Sequence, residues 1–435
     1  MAFSLNQASF TGGELAPSLH ARTDLGKYAT GLAECRNCFI HAHGGVSNRP
    51  GTQFVNEARY HDKKCRLIDF EFSTIQTYML EFGHQCLRVV KDGGQVVYPA
   101  GHASEGQVVE IATPFAEEEL MDLGYVQSAD VMTIVHRSHP PMELRRTDHH
   151  EWELVEISWQ PSISAPANVT SSSGTGTKYV VTSVANESLE ESLPSAEVEG
   201  ASGTKITFNS VAEASKYNVY KQKNGIFGYI GSTEITEFTD SNIAPLLDDT
   251  PPKSRNPFVG AGNYPGATTY YQQRLVFGGS INKPQTVWTT QSGNYTNLNV
   301  ASPTKADDAI TFGIPARSSN EIRHLVPQKS LIALTSSGEW SIQGGDDGVL
   351  TPTNPNPESH GERGSARVAP LVIGRTILYV QSRGAIVRDL AFTIQDDGYA
   401  GDDLSVLANH MFEGRQIVDW CYAQAPSSIV WCVRD

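Results

Sequence analysis

Hydrophobic and polar positions alternate with a period of two along most of the chain, in runs short enough to be strands and closed by turn-forming residues. From Cys65 onward RLIDFEF, TYMLEFG, CLRVVKDGGQVVY, VMTIVHR and WELVEISW read as half-buried strands, with Asp-Gly-Gly and Pro-Pro marking reversals. This is a run of hairpins. One segment breaks the pattern: in TPFAEEELMDLGYV the acidic cluster ahead of Leu120 and Leu123 predicts a short helix. After Tyr270 short strands return as QQRLVFGG, PQTVWTT, SLIALTSSGEWSI, RTILYVQSRGAIVRDL and SSIVWCVRD. Strands and turns in strict alternation, with aromatics near strand ends, are how propeller blades read. The final VWCVRD is a strand with an unpaired edge. It implies either a natural chain that continues or N-terminal strands that close a ring.

Two stretches depart from this rhythm. Residues 1–60 carry turn formers and little periodicity, as in SFTGGELAPSLHARTDLGKY and HGGVSNRPGTQFV, and predict an extended assembly arm. Its backbone groups exceed what its own domain can satisfy, which suits it to lie along a neighbouring subunit. Around Pro161–Asn168 the composition shifts to Pro, Ser and Ala, and a compact β segment runs to LLDDTPPKSRNPF. Within it Tyr179 and Val181, Ile206 and Phe208, and Tyr217 and Val219 alternate with polar neighbours as in a small β-sandwich. The expected architecture is therefore mainly β: an arm (1–60), a propeller-like platform (61–160 and 253–435) and a sandwich inserted into it (161–252).

Composition narrows the function classes. Only 19% of residues are charged while Gly (38) and Pro (23) are plentiful, which favours strands and tight turns over long helices. The net charge of -15 argues against a general nucleic-acid binder, although an acidic lumen would let a duplex pass without sticking. No segment is apolar for long enough to span a bilayer, and MAFSLNQASF lacks the basic and apolar regions of a signal peptide. A life in the cytoplasm until it is packaged into something larger is the expectation. Six cysteines are too sparse for a disulfide scaffold, so free thiols are expected.

Candidate chemistry is thin. Cys35-x-x-Cys38 with His41 and His43 offers zinc-ligand types, but they crowd one short segment where zinc sites use separated pairs; loop or packing roles are preferred. Most of the acidic doublets at 248–249, 307–308, 346–347, 396–397 and 402–403 sit beside Gly, Pro or Thr, and they read as turns, with QDDGYAGDD the one segment dense enough to raise calcium. His149 and His150 beside Asp148 read as exposed loop, and Lys63–Lys64 and Arg145–Arg146 as solvated turns. GTGTK (174–178) precedes a strand rather than a helix and reads as a turn. Nucleophile-elbow, zincin and P-loop motifs are missing, so no catalytic, cofactor or metal residue is assigned and the chain reads as a non-enzyme.

Five segments taken in order resemble the tail tubular or tail nozzle (hub) proteins of short-tailed bacteriophages. They are SFTGGELAPSLHARTDLGKYATGLAECRNCFIHAHGGVSNRPGTQFV; LGYVQSADVMTIVHRSHPPMELRR; YNVYKQKNGIFGYIGSTEITEFTDSNIAP, similar to a fibronectin-type-III-like insert; GNYPGATTYYQQRLVFGGSINKPQTVWTTQSGNYTN; and HLVPQKSLIALTSSGEWSI with GSARVAPLVIGRTILYVQSRGAIVRDL. The resemblance implies a structural virion protein forming a ring, usually a hexamer. Such a ring attaches below the portal and adaptor, holds fibres, a spike or a needle, and lets duplex DNA leave through its lumen. Two other classes stay open, a polysaccharide-degrading tail enzyme and a receptor-binding adhesin. Paired carboxylates in one cleft would mark the first.

Overall fold

The structure, a computed structural model, describes residues 7–201, 203–316, 320–345, 347–383, 385–395 and 397–435. The protein is mainly β, made of many small sheets, none of which closes on itself. Among the described residues there is no α-helix; the segment expected to be helical makes a single 3-10 turn, Leu120–Asp122.

Five antiparallel sheets follow one another along the chain, each with its strands in sequence order. The first holds Arg66–Ser73, Gln76–Gly83, Cys86–Lys91 and Gly94–Gln95, with Glu110–Ala112 added beside Cys86–Lys91. The second is Gly124–Ser128, Val131–His136, His139–Arg146 and Trp152–Glu156. The third is Ala267–Tyr271, Arg274–Gly278, Thr286–Thr289 and Ile310–Gly313. The fourth is Ile322–Pro327, Leu331–Thr335, Glu339–Gln343 and Asn356–Gly361. The fifth is Leu371–Ile373, Thr376–Val380, Val387–Thr393 and Gly398–Ala400, and the hairpin Ile417–Ala423 with Ile429–Arg434 comes after it. Local sequence sets the reversals: Asp92 and Gly93 both take positive φ (51° and 77°), which a tight two-residue hairpin turn requires.

Period-two patterning decides which face is buried. In Arg66–Ser73 the residues Arg66, Ile68 and Phe70 point inward while Leu67, Asp69 and Glu71 face out. Consecutive sheets then share apolar clusters. Phe70, Leu80 and Val89 of the first meet Met132, Ile134 and Leu144 of the second. Val135 of the second meets Leu275, Phe277 and Trp288 of the third. Val276 and Val287 of the third meet Ile322 and Leu331 of the fourth, whose Ile332 and Leu334 meet Ile377 and Tyr379 of the fifth. Val380 of the fifth packs with Ile417 and Trp420 of the hairpin. Each fully buried aliphatic side chain in such a seam contributes about 1.5–3 kcal/mol.

Between the second and third sheets the chain leaves after Trp159 and returns at Phe258, two rings that stack edge to face 5.3 Å apart and also pack on Phe277. The intervening segment builds a three-stranded and a four-stranded antiparallel sheet around Tyr179, Val181, Ile206, Phe208, Tyr217 and Val219. In its interior Asp240, fully buried, accepts from Lys221 Nζ (2.7 Å), Tyr179 Oη (2.9 Å) and the Ile243 amide (2.8 Å). Burial alone would raise its pKa; these donors hold it below the usual carboxylate value.

The first 60 residues pair only locally, Gly13–Glu14 with Gly31–Leu32 and Cys38–Ile40 with Val46–Asn48. They nevertheless bridge both ends of the sheet succession. Glu14 accepts from His410 (2.9 Å), the Ala16 amide donates to the Leu407 carbonyl (2.8 Å), and Phe39 packs on Trp431 at 5.5 Å. At the other end Asn56 donates to Gln95 (2.6 Å) and Arg59 pairs with Glu110. Part of the arm therefore docks on its own chain, while Phe54 remains 75% exposed.

Candidate functional site

The chemically richest place lies where strand ends of the first four sheets and the segment leading into the fifth converge. A cavity of ≈580 Å³ opens there, with Arg66, Arg137, Arg323 and Arg367 in its wall. Arg66 is held apart from the other three. Arg66, 5% exposed, donates through Nη1 to the carbonyls of Leu120 and Leu123 (both 2.9 Å) and Met121 (3.4 Å), tying down the 3-10 turn. Its Nε has no hydrogen-bond partner among the described residues and faces the Asp419 carboxylate of the C-terminal hairpin at 3.9 Å. Glu321 gathers the other three: Arg137, Arg323 (3.3 Å) and Arg367 (3.2 Å), the last also reaching Asp122 at 3.5 Å.

Burial, then repulsion from Arg367, pushes Arg137 down to about 10. Beside it, His324 donates through Nε2 to the Ala366 carbonyl (2.9 Å), which fixes Nε2 as the protonated nitrogen. Burial, with repulsion from Arg323, Arg66 and Arg367, pushes this imidazole down to about 4. Tyr125 under Arg66 is pushed up to about 12, chiefly by burial.

Arg137 of this cluster sits in the turn, with Ser138, through which Val131–His136 and His139–Arg146 reverse, so that His136 and His139 pair across it. Glu119, just ahead of the 3-10 turn, meets both: His139 Nε2 is 3.0 Å from Oε2 and His136 Nδ1 is 3.9 Å from Oε1. Burial raises the Glu119 pKa, but the Ala116 amide and His139 outweigh it and hold the carboxyl below its usual value. Burial depresses His136, whose ring is almost enclosed.

The residues singled out by sequence are scattered. Cys35, Cys38, His41 and His43 sit on the arm; Cys35 Sγ is 4.0 Å from the Cys38 carbonyl, the two histidine rings stack, and all six cysteines are free. Among the acidic doublets, Asp308 accepts the amides of Ala301 (3.0 Å) and Lys305 (2.8 Å), and Asp403 accepts the Ser405 amide (2.8 Å), which is turn chemistry. Asp346 and Asp396 lie outside the described residues. GTGTK ends in a strand that begins at Thr177.

Two readings change. Arg146 lies in a strand, pairs with Asp130 at 2.5 Å and covers Phe72 and Tyr78, so it is packed rather than solvated. His149 is half-buried against the Tyr78 hydroxyl. The arginines of the cavity are far apart in sequence, and a whole strand separates Glu119 from its two histidines, so local spacing does not join them. A visible signal was His-x-x-His across a tight reversal, VHRSH, downstream of AEEEL.

No family model matches this chain, and no curated protein matches it. Among solved structures, a protein from Lactobacillus plantarum overlaps 78% of this chain and 95% of its own at 8% identity and a TM-score of 0.29. The computationally designed Ika8 protein overlaps 87% and 98% at 8% identity and a TM-score of 0.27.

Proposed function

We propose that the chain is a structural subunit of a bacteriophage tail, a ring-forming nozzle or hub that conducts the genome outward and docks neighbouring tail components. The observation that carries this reading is the succession of antiparallel sheets around one centre, a platform that the segment 161–252 interrupts as a separate β unit. We read the platform as propeller-like and the interrupting unit as a fibronectin-like sandwich. A rigid platform with a projecting module suits docking of an adaptor, fibres or a needle.

The cavity at the centre, ≈580 Å³, has the size of a small-ligand pocket and not of a duplex channel. In this reading the DNA conduit is therefore formed between subunits, by ring closure. The exposed Phe54 on the arm is suited to reach the next copy. No helix among the described residues is long and apolar enough to cross a membrane.

The test is the mass and negative-stain image of the purified full chain, alone and mixed with neighbouring tail components. Rings with a hole wide enough for duplex DNA are expected. A persistent monomer that clears host polysaccharide would sink the proposal in favour of a tail enzyme, and one that only binds host cells would favour an adhesin.

A further inference from the structure

We infer that Glu119, His136 and His139 form a binding site for a zinc-class divalent cation at the edge of the central cavity. The three donor atoms lie within 4.8 Å of one another, and no other group of three His, Cys, Asp or Glu among the described residues converges in this way. Two imidazoles and one carboxylate are a donor set that divalent first-row metals take with a further position left open.

The spacing fits. Donors bound tetrahedrally at zinc's usual distances stand about 3.3 Å from each other; here His139 Nε2 is 3.0 Å from Glu119 Oε2 and His136 Nδ1 is 3.9 Å from the other oxygen, Oε1. The second distance is the informative one. It is too long for a hydrogen bond, and because His136 Nδ1 accepts from the Ser138 amide (3.2 Å), two acceptors stand 3.9 Å apart with no donor between them. One metal ion between them satisfies both.

Supporting contacts are in place: the Ala116 amide (2.9 Å) orients Glu119, and the Phe115 ring packs edge-on against His139 at 5.3 Å. The Ser138 amide donates to His136 Nδ1 at 3.2 Å, a contact that ligation through Nδ1 gives up. Arg137, next in sequence to His136, is paired with Glu321, a carboxylate that it shares with Arg323 and Arg367. Glu119 and His136 also line the cavity, which leaves the fourth position to water from that side.

This inference does not depend on the tail reading. The full chain, stripped with EDTA and dialysed, is titrated with zinc and followed by native mass spectrometry and calorimetry, then with cobalt(II) followed by visible absorption. One equivalent per chain is expected, with cobalt bands of a nitrogen–oxygen site lacking thiolate charge transfer, and a higher melting midpoint in zinc. His139→Ala and Glu119→Gln should each weaken binding by roughly 100-fold or more, whereas the Cys35→Ser, Cys38→Ser double variant binds as before. Failure of the unmodified chain to bind zinc would overturn the site without recourse to any variant. So would thiolate charge transfer, or binding that survives in folded His139→Ala.

Discussion

The seams between consecutive sheets and the centre they surround are built from opposite materials. The seams are dry: Trp288, Phe277, Tyr379, Leu80 and Val89 are all buried to within a few per cent, and aromatic rings meet edge to face at 5.1–5.5 Å around Phe258. The centre holds arginines, carboxylates and histidines whose pairs are numerous but incomplete, with the Arg66 Nε left over. Apolar packing of similar volume would stabilise a centre at least as well as buried ion pairs do. Stability is therefore the business of the seams, and a charged centre has to be explained by what it contacts or holds.

That division can be broken from either side. Trp288→Ala should give the largest effect, about 3–5 kcal/mol, because the seam it leaves joins the second and third sheets and cannot collapse around the cavity. Urea unfolding checks it, and a loss under 1 kcal/mol would mean that this seam is not where stability resides. Arg66→Met should cost less, about 2–3 kcal/mol, since it strips a donor from three carbonyls and leaves Asp419 facing the space. Equal losses at the two positions would erase the contrast between seam and centre.

The smallest effect is a titration. His324 is depressed from 6.5 to about 4 in the folded chain. Its contribution is intact above the unfolded value and is lost as pH falls from about 6.5 toward 4, because the unfolded chain takes up the proton first. About 1–2 kcal/mol is expected, allowing for solvent around a partly exposed ring. Urea midpoints against pH should flatten in His324→Gln. His136 and His360, also depressed by burial, leave a residual slope of the same sign.

The strand pattern was legible from alternation alone: Arg66–Ser73, Gln76–Gly83, Val131–His136 and Trp152–Glu156 fall on the runs that period two marks. The helix expected at TPFAEEELMDLGYV failed for a tertiary reason. Arg66 takes the carbonyls of Leu120, Met121 and Leu123 that a longer helix would have kept for itself, and Leu120 and Leu123 are both drawn into the first seam. The arginines of the centre left no local pattern to read. Arg66, Arg137, Arg323 and Arg367 belong to different sheets and their connecting segments, and only sheet packing places them together. Local spacing drew attention instead to Cys35 and Cys38, which the fold leaves on the arm.

The aromatic clasp of Trp159 and Phe258 bears on the order in which the molecule can be made. Val135, Ile157 and Trp159 are synthesised before the interrupting segment, whereas Phe258, Leu275 and Trp288, which complete their shared cluster, come after it. At about 5–20 residues per second, the ribosome spends roughly 5–20 s on that segment while the second sheet waits with one apolar face uncovered. The segment has its own core around Tyr179 and Val219 and can fold in that interval. It thus keeps a long crossover compact, and brings Phe258 back beside the sheet that has been waiting for it.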